Sequence, residues 1–295
     1  MLCITIFPHD EFAKSFLENL LSPFGKVEPA YKIAAEVREV DVYFIPSGTT
    51  LNRVGVQPAV GTASPLGNRT DLGLLARCVT ELVVFEPFRN SVSVPDIRAC
   101  MSKLYDLHAK IYREAKRKKQ PEPKDDELPM LWILTPTLSD NILMSLGANL
   151  DLERGEGMYL LPSAQKTGIV VIHRLPRTPA TLWFRILGRD GVQRRAIEEV
   201  TQLPQGHPYR QNTLELLSNL KVTLESQENI QPEDRDLIMQ LSPLYLKQIQ
   251  AAKQQQQQEI AVNLLRKNIS VEVISETTGV SIERLQALRS QLENT

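Results

Sequence analysis

Two carboxylates, Asp41 and Glu86, stand inside apolar stretches of the chain, where a charge is costly unless another group compensates it. Asp41 lies within residues 36–45 and Glu86 within residues 81–89, and both stretches are rich in the β-branched and aromatic residues that favour strands. If the two strands are neighbours, their side chains come about 5 Å apart. Two carboxylates at that spacing can hold one hard divalent cation, which completes its shell with water and phosphate. The pattern therefore predicts a site for Mg²⁺ or Mn²⁺.

The alternation of side chains indicates which face of each strand carries its acid. Side chains in a strand alternate with period two, so Asp41 lies on the face opposite Val40 and Val42. Glu86 is the lone charge in its apolar run, and Pro87 ends the sheet pairing there. The alternative is a pair of edge-strand acids in water, or acids paired with neighbouring arginines.

Two helices are predicted around these strands. The first covers residues 10–22, where apolar side chains recur at a spacing of four. Asp10 stands in its first turn, where a carboxylate suits the positive end of the helix dipole. The second helix starts near Ser93, whose spacing to Asp96 fits a capping box.

The second helix ends in a basic run that begins with Lys116 and Arg117. Basic side chains complement the negative end of the helix dipole, so a solvated last turn is one interpretation. A patch that contacts phosphate groups is the other.

Further elements are predicted on both sides of this helix. Residues 46–70 are rich in Pro, Gly, Ser, Thr and Asn, which predicts a long loop. Strands are predicted at residues 130–135, 158–161 and 168–175, with a short helix at residues 139–146.

From Thr178 onward the pattern is helical, and Pro243 is predicted to open a long helix. The last forty residues form three short helical segments with Gly279 at a tight turn, a pattern typical of a helix-turn-helix. Residues 260–295 contain four basic and four acidic side chains, a balance that favours dimerisation or docking over DNA contact. DNA contact remains the alternative.

The order of these features resembles the PD-(D/E)XK nuclease superfamily: an opening helix, an Asp strand, a Glu strand and then another helix. The opening Pro8-His9-Asp10-Glu11-Phe12-Ala13-Lys14 and the tail between Ala261 and Glu283 are similar to its recombination-promoting nuclease (Rpn) branch. The resemblance implies an α/β, restriction-endonuclease-like core, a mixed sheet flanked by helices, followed by an all-helical C-terminal region. It also implies Mg²⁺- or Mn²⁺-dependent cleavage of DNA, with Asp10 as an accessory acid.

The sequence departs from the superfamily at one position, because Phe88 stands where its lysine is expected. Lys103 on the following helix can supply the missing cation. At about 100° per residue it lies roughly 60° from Cys100 and 40° from Leu107, at the border of the apolar stripe. From there its ammonium can extend past the sheet edge, although a lysine that only reaches solvent is the alternative. Arg89 suits clamping of a substrate phosphate, because its guanidinium stays protonated.

The predicted domains are a nuclease-like α/β domain at residues 1–176, a helical region at residues 177–242, and a long helix with a helix-turn-helix-like tail at residues 243–295. In this interpretation Asp41, Glu86 and Lys103 are catalytic, and Asp41 and Glu86 hold the metal. Arg89, Lys116 and Arg117 would contact substrate phosphates. The C-terminal helices would form a homo-oligomer.

Composition excludes several other classes. The net charge of −1 over 295 residues gives no global basic signature, so DNA binding needs a local patch. Three scattered cysteines argue against a disulfide framework or a zinc cage and favour a reducing compartment. The chain has no run long enough to span a membrane, and residues 1–7 show no signal-peptide pattern, so a cytoplasmic protein is expected. P-loop, dinucleotide-binding and serine-hydrolase motifs are absent from the sequence.

Two other functions stay open at the level of sequence. The chain can be a catalytically silent member of the same fold that binds nucleic acid or protein. It can also be a helical assembly factor without any nucleic-acid partner.

Overall fold

The structure is a computed structural model that describes residues 8–33, 38–47, 68–267 and 269–293. Most of the loop predicted at residues 46–70 lies outside the described residues. The chain divides into two compact units, with the boundary between Leu237 and Ile238. The residues from 177 to 237, predicted as a separate helical region, belong to the same compact unit as the sheet.

The first unit is an α/β structure built on a mixed sheet, which has seven strands within the described ranges. In sequence these are β1 (Gly25–Ile33), β2 (Arg38–Pro46), β3 (Val83–Pro87), β4 (Met130–Thr135), β5 (Asn149–Leu150), β6 (Met158–Leu160) and β7 (Thr167–Val171). Their order across the sheet is β1-β2-β3-β4-β7-β6-β5.

The α-helices of the described chain surround this sheet and form the C-terminal region. They are α1 (Pro8–Leu21), α2 (Leu74–Cys78), α3 (Val94–Arg117), α4 (Asp140–Ser145), α5 (Leu182–Ile186), α6 (Asp190–Gln202), α7 (Arg210–Glu225), α8 (Pro232–Arg266), α9 (Val271–Thr278) and α10 (Ile282–Glu293). None of them combines the length and the apolar character needed to cross a bilayer.

The strands predicted to carry the two acids are neighbours, as expected. β2 pairs with β3 in antiparallel orientation, with Val42 opposite Phe85. β3 pairs with β4 in parallel orientation, and α3 provides the crossover that parallel neighbours require. Both faces of β3 are covered, because the successive residues Val83, Val84 and Phe85 are all buried.

The start of α3 follows directly from its sequence. Oγ of Ser93 accepts the Asp96 N–H at 3.3 Å, and Oδ2 of Asp96 accepts the Ser93 N–H at 2.9 Å, so the predicted capping box is confirmed. The apolar stripe of α3 packs on one face of the sheet against β2, β3, β4 and β7, and its fully buried members are Ile97, Leu104, Leu107 and Ile111. Cap and stripe together fix the rotation of α3 relative to β3.

Two sequence predictions were wrong in their details. His173 lies in a 3₁₀ turn after β7 rather than in the strand, which ends at Val171. Pro243 lies inside α8 instead of opening a helix. A proline inside a helix removes its own N–H bond and crowds the preceding turn. α8 nevertheless continues from Pro232 to Arg266, and within that turn the hydroxyl of Ser242 donates to the Ile238 carbonyl at 2.7 Å.

The second unit has a small core of its own, formed by Ala261, Leu265, Ile274 and Leu285. α9 ends at Gly279, whose φ of 73° is the left-handed conformation that glycine adopts without strain. In the described residues the tail consists of the end of α8 followed by the two short helices α9 and α10, rather than three short helices.

Three partly buried histidines predict how stability depends on pH. Burial lowers the pKa of His108, His173 and His207. Nε2 of His173 accepts the Arg189 N–H at 3.5 Å, and Nδ1 of His207 accepts the Tyr209 N–H at 3.3 Å, so both accepting rings are neutral. The unfolded chain takes up protons near pH 6.5, before the folded protein does. We therefore expect these histidines to lower the free energy of unfolding as pH falls from 7 to 5.

Urea unfolding at several pH values checks this expectation. Other groups titrate in the same range, so the informative quantity is the difference in slope between wild type and a His173→Gln, His207→Gln variant. The variant should lose stability less steeply with falling pH. Identical slopes would show that His173 and His207 do not contribute to this pH dependence.

Candidate functional site

The two predicted acids meet at one end of the β2–β3 pair. The antiparallel register ends at Val42 opposite Phe85, and Asp41 and Glu86 are the next residues of the two strands at that end. Directly opposite residues in an antiparallel pair project to the same face. The Asp41 backbone N–H donates to Oε1 of Glu86 at 3.3 Å, so the carboxylate of one strand reaches the backbone of the other.

Glu86 is only 1% exposed, and each of its oxygens has a partner. Besides the Asp41 N–H on Oε1, Nζ of Lys103 lies 2.8 Å and Sγ of Cys100 3.8 Å from Oε2. Burial and the nearby charge of Asp41 raise the pKa of Glu86 to about 7, against the opposing effect of Lys103. A negative charge at this position therefore depends on a neighbouring cation.

The side chain of Lys103 runs from the border of the α3 stripe to Glu86 rather than out to solvent. Burial alone lowers the pKa of Lys103, but the charge and hydrogen bond of Glu86 outweigh it and raise the pKa above its usual value. The lysine thus remains an ammonium. Phe88, at the position where the superfamily lysine is expected, packs against the apolar core under α3.

Asp41 has a lysine partner of its own. Nζ of Lys14 in α1 lies 3.4 Å from Oδ1 of Asp41 and donates to Oδ2 of Asp10 at 2.8 Å. Burial raises the pKa of Asp41, and Lys14 opposes that rise. Sequence reasoning missed Lys14, although its spacing of four from Asp10 on one helix was a usable signal.

These side chains line one cleft of about 640 Å³. Asp10, Asp41, Glu86 and Lys103 belong to its lining, together with Arg89. Amide side chains add hydrogen-bonding groups to the walls, namely Asn90, Gln193, Gln227, Asn229 and Gln231. The cleft has room for a substrate group beside the two carboxylates.

Arg89 reaches the cleft, but protein acceptors already hold its guanidinium. Nη1 donates to the Gly188 carbonyl at 3.0 Å and to Oε1 of Gln193 at 2.9 Å, and Nη2 donates to Oδ1 of Asp234 at 3.5 Å. The same oxygen of Asp234 lies 2.8 Å from Nε2 of His9. Sequence reasoning missed His9 and Asp234 as a pair, because 225 positions separate them.

The structure does not bring Lys116 and Arg117 to the carboxylates. Both are exposed in the last turn of α3. At 1.5 Å per residue they lie about 20 Å along the helix from Lys103. They are not part of the cleft lining in the described chain.

The fit of the cleft residues to a divalent metal depends on how many ligands they supply. Within the ranges that the structure describes, no group of three or more His, Cys, Asp or Glu side chains is arranged to hold an ion. Mg²⁺ needs only one or two carboxylates when water and phosphate complete its shell. Asp41 and Glu86 supply these two carboxylates in the lining of one cleft, beside the ammonium groups of Lys14 and Lys103. The residues therefore fit Mg²⁺ or Mn²⁺.

Comparison of the chain with protein-family models, with curated proteins and with solved structures gave no match.

The Lys103–Glu86 contact predicts a measurable coupling. Lys103→Met keeps the apolar stem but removes the cation, so we expect the free energy of unfolding to fall by about 1–3 kcal/mol. Adding Glu86→Gln should recover part of this loss, because the buried charge is then gone. Urea unfolding of the four proteins forms a double-mutant cycle.

The Lys32–Glu39 pair gives a matched control for this cycle. Its atoms are 3.8 Å apart, and the Lys32 side chain is 83% exposed. Lys32→Met and Glu39→Gln should show almost no coupling. Additive effects at Lys103 and Glu86 would mean that the ammonium does not compensate the buried carboxylate.

Proposed function

We propose that this protein is a Mg²⁺- or Mn²⁺-dependent nuclease that cleaves phosphodiester bonds of DNA. The observation that carries the proposal is the meeting of Asp41 and Glu86 on neighbouring strands, with the Lys103 ammonium 2.8 Å from Glu86. This is a pair of oxygen ligands with a cation beside it, at the edge of a cleft. Such an arrangement suits reactions of phosphate esters, in which negative charge increases in the transition state.

The order of elements supports a restriction-endonuclease-like core. The resemblance rests on an opening helix, an Asp strand, a Glu strand and a following helix, and α1, β2, β3 and α3 stand in that order. The mixed sheet with helices packed against it is the architecture that the resemblance implies.

Each residue of the cleft has a distinct role in this proposal. Asp41 and Glu86 would hold the ion, which supplies Lewis-acid polarisation of the phosphoryl group and lowers the pKa of water. Lys103 stays protonated, so it donates hydrogen bonds and stabilises negative charge instead of accepting a proton. Asp10 acts through Lys14, whose ammonium it positions against Asp41.

Contacts to the rest of the substrate would come from more distant residues. Arg89 lies in the cleft and can approach a phosphate, whereas Lys116 and Arg117 lie about 20 Å along α3 from Lys103, another residue of the cleft. A strand rises about 3.4 Å per nucleotide, so this distance corresponds to about six nucleotides. A strand that follows α3 would therefore reach both regions.

The second candidate is a catalytically silent protein with the same fold that binds nucleic acid. One observation favours it: each carboxylate already has a lysine partner, Lys14 for Asp41 and Lys103 for Glu86. These ion pairs reduce the negative charge that attracts a metal. Binding that does not depend on metal, without cleavage, is the expected behaviour of such a protein.

Nicking of supercoiled plasmid in Mg²⁺ or Mn²⁺ tests the proposed function. We expect Asp41→Asn, Glu86→Gln and Lys103→Met each to lower the rate roughly 100-fold or more, the usual effect of losing a group that stabilises the transition state. Two variants are the matched controls. Glu39→Gln removes a carboxylate from β2, the strand of Asp41, and Lys32→Met removes an exposed lysine, so both should keep the wild-type rate.

The outcomes separate the two candidates. Loss of nicking in the carboxylate variants with an intact rate in Lys103→Met would remove the lysine from the mechanism. A wild-type protein that binds DNA but nicks none in either metal would favour the silent fold.

The C-terminal region should be dispensable for metal binding. Deleting residues 243–295 leaves every described residue of the cleft in place. We expect unchanged Mn²⁺ affinity by calorimetry. If the tail carries self-association, light scattering should show fewer subunits per particle after the deletion. Circular dichroism shows whether the truncated chain stays folded, and lost Mn²⁺ affinity in a folded truncation would contradict the expectation.

A further inference from the structure

A second charged cluster lines the same cleft, and it consists of His9, Arg89 and Asp234. Nε2 of His9 lies 2.8 Å and Nη2 of Arg89 3.5 Å from the same oxygen, Oδ1 of Asp234. The three side chains are only 15%, 19% and 13% exposed. Two donors from separate parts of the chain thus converge on one carboxylate.

The guanidinium of this cluster is held on its other side. Nη1 of Arg89 donates to the Gly188 carbonyl at 3.0 Å and to Oε1 of Gln193 at 2.9 Å. Gln193 is 3% exposed, and its Nε2 donates to the Ile186 carbonyl at 3.0 Å. The plane of the guanidinium is therefore fixed before any ligand binds, which lowers the entropic cost of binding.

A second guanidinium adds positive charge to this corner of the cleft. Nη1 of Arg189 donates at 2.7 Å to Oδ1 of Asn90, which lines the cleft. Its Nη2 lies 3.8 Å from Oε1 of Glu233, the residue before Asp234 in α8. Two arginines and a histidine therefore face two acids of a single helical turn.

The donors of this cluster match a phosphate group. A fixed guanidinium and an imidazole N–H bind phosphate oxygens as readily as carboxylate oxygens. A phosphodiester also carries the same single negative charge as Asp234. Arg89 follows Glu86 by three residues, so their Cα atoms are at most about 11 Å apart. A strand rising 3.4 Å per nucleotide covers that distance in about three nucleotides.

We propose that His9 and Arg89 form a phosphate subsite for the nucleic-acid strand, and that the Asp234 carboxylate occupies this subsite until the strand displaces it. The choice of a nucleic-acid phosphate rests on the proposed function. The subsite itself depends on contacts that do not involve Asp41, Glu86 or Lys103. It gives the strand a second fixed point within about three nucleotides of the bond that is cleaved.

Asp234→Asn removes the competing charge and keeps the size of the side chain. Glu233→Gln is the matched control, because it makes the same charge change at the neighbouring residue. Wild type and both variants are titrated in EDTA with a fluorescein-labelled single strand of 12 nucleotides, followed by anisotropy at several salt concentrations. We expect Asp234→Asn to bind about five-fold more tightly than Glu233→Gln, the gain from removing about 1 kcal/mol of competing contact, with a steeper dependence on salt.

Arg89→Lys provides the second arm. It keeps the positive charge but lacks the planar pair of donors, so the gain from Asp234→Asn should disappear in the Arg89→Lys, Asp234→Asn protein. Thermal unfolding shows that each variant is folded. Equal gains in Asp234→Asn and Glu233→Gln, or a gain that survives Arg89→Lys, would overturn the subsite.

Calorimetry with inorganic phosphate separates this inference from the proposed function. If Asp234→Asn binds phosphate more tightly than Glu233→Gln while none of the proteins binds the oligonucleotide, the subsite stands and the nucleic-acid function is wrong. If none binds either ligand, both are wrong.

Discussion

Glu86 keeps its carboxylate at the end of β3 with 1% of the residue exposed, and this buried negative charge constrains the elements around it. A buried carboxylate without partners is strongly disfavoured. The partners come from two other elements: β2 supplies the Asp41 N–H, and α3 supplies the Lys103 ammonium and the Cys100 thiol. The geometry therefore requires β2 beside β3, and α3 with one particular face toward the sheet.

The same charge balance ties α1 to the sheet. Lys14 links Asp10 on its own helix to Asp41 on β2, so the opening helix and the second strand share an ammonium. Three carboxylates and two ammonium groups thus lie around one end of the β2–β3 pair. Burial and the charge of Asp41 raise the pKa of Glu86 to about 7, so this carboxylate stays ionised only with the support of the neighbouring ammonium groups.

The cleft is lined by two separate groups of charged side chains. One group consists of the carboxylates paired with lysines, and the other holds Asp234, at the start of α8, between His9 and Arg89. Under the proposed function, a bound strand would meet both groups of side chains, and selectivity among ligands would depend on matching both groups at once.

Local patterns in the sequence determined most of the elements that carry the acids. β2 and β3 follow from runs of β-branched and aromatic residues, and α3 follows from the Ser93–Asp96 capping box and its apolar stripe. These signals act between residues a few positions apart, so a single sequence contains them in full. The same stripe also indicated that Lys103 stands at the border facing the sheet.

Only the tertiary structure decided the remaining features of the site. The pairing of His9 with Asp234 joins residues 225 positions apart, and the helix that carries Asp234 continues through Pro243, where the local pattern predicted a break. Whether a buried charge has a partner depends on which distant elements pack beside it. Patterns between residues a few positions apart do not show which elements these are. The sequence by itself therefore determined the acids and their strands, whereas packing determined which cations neutralise them.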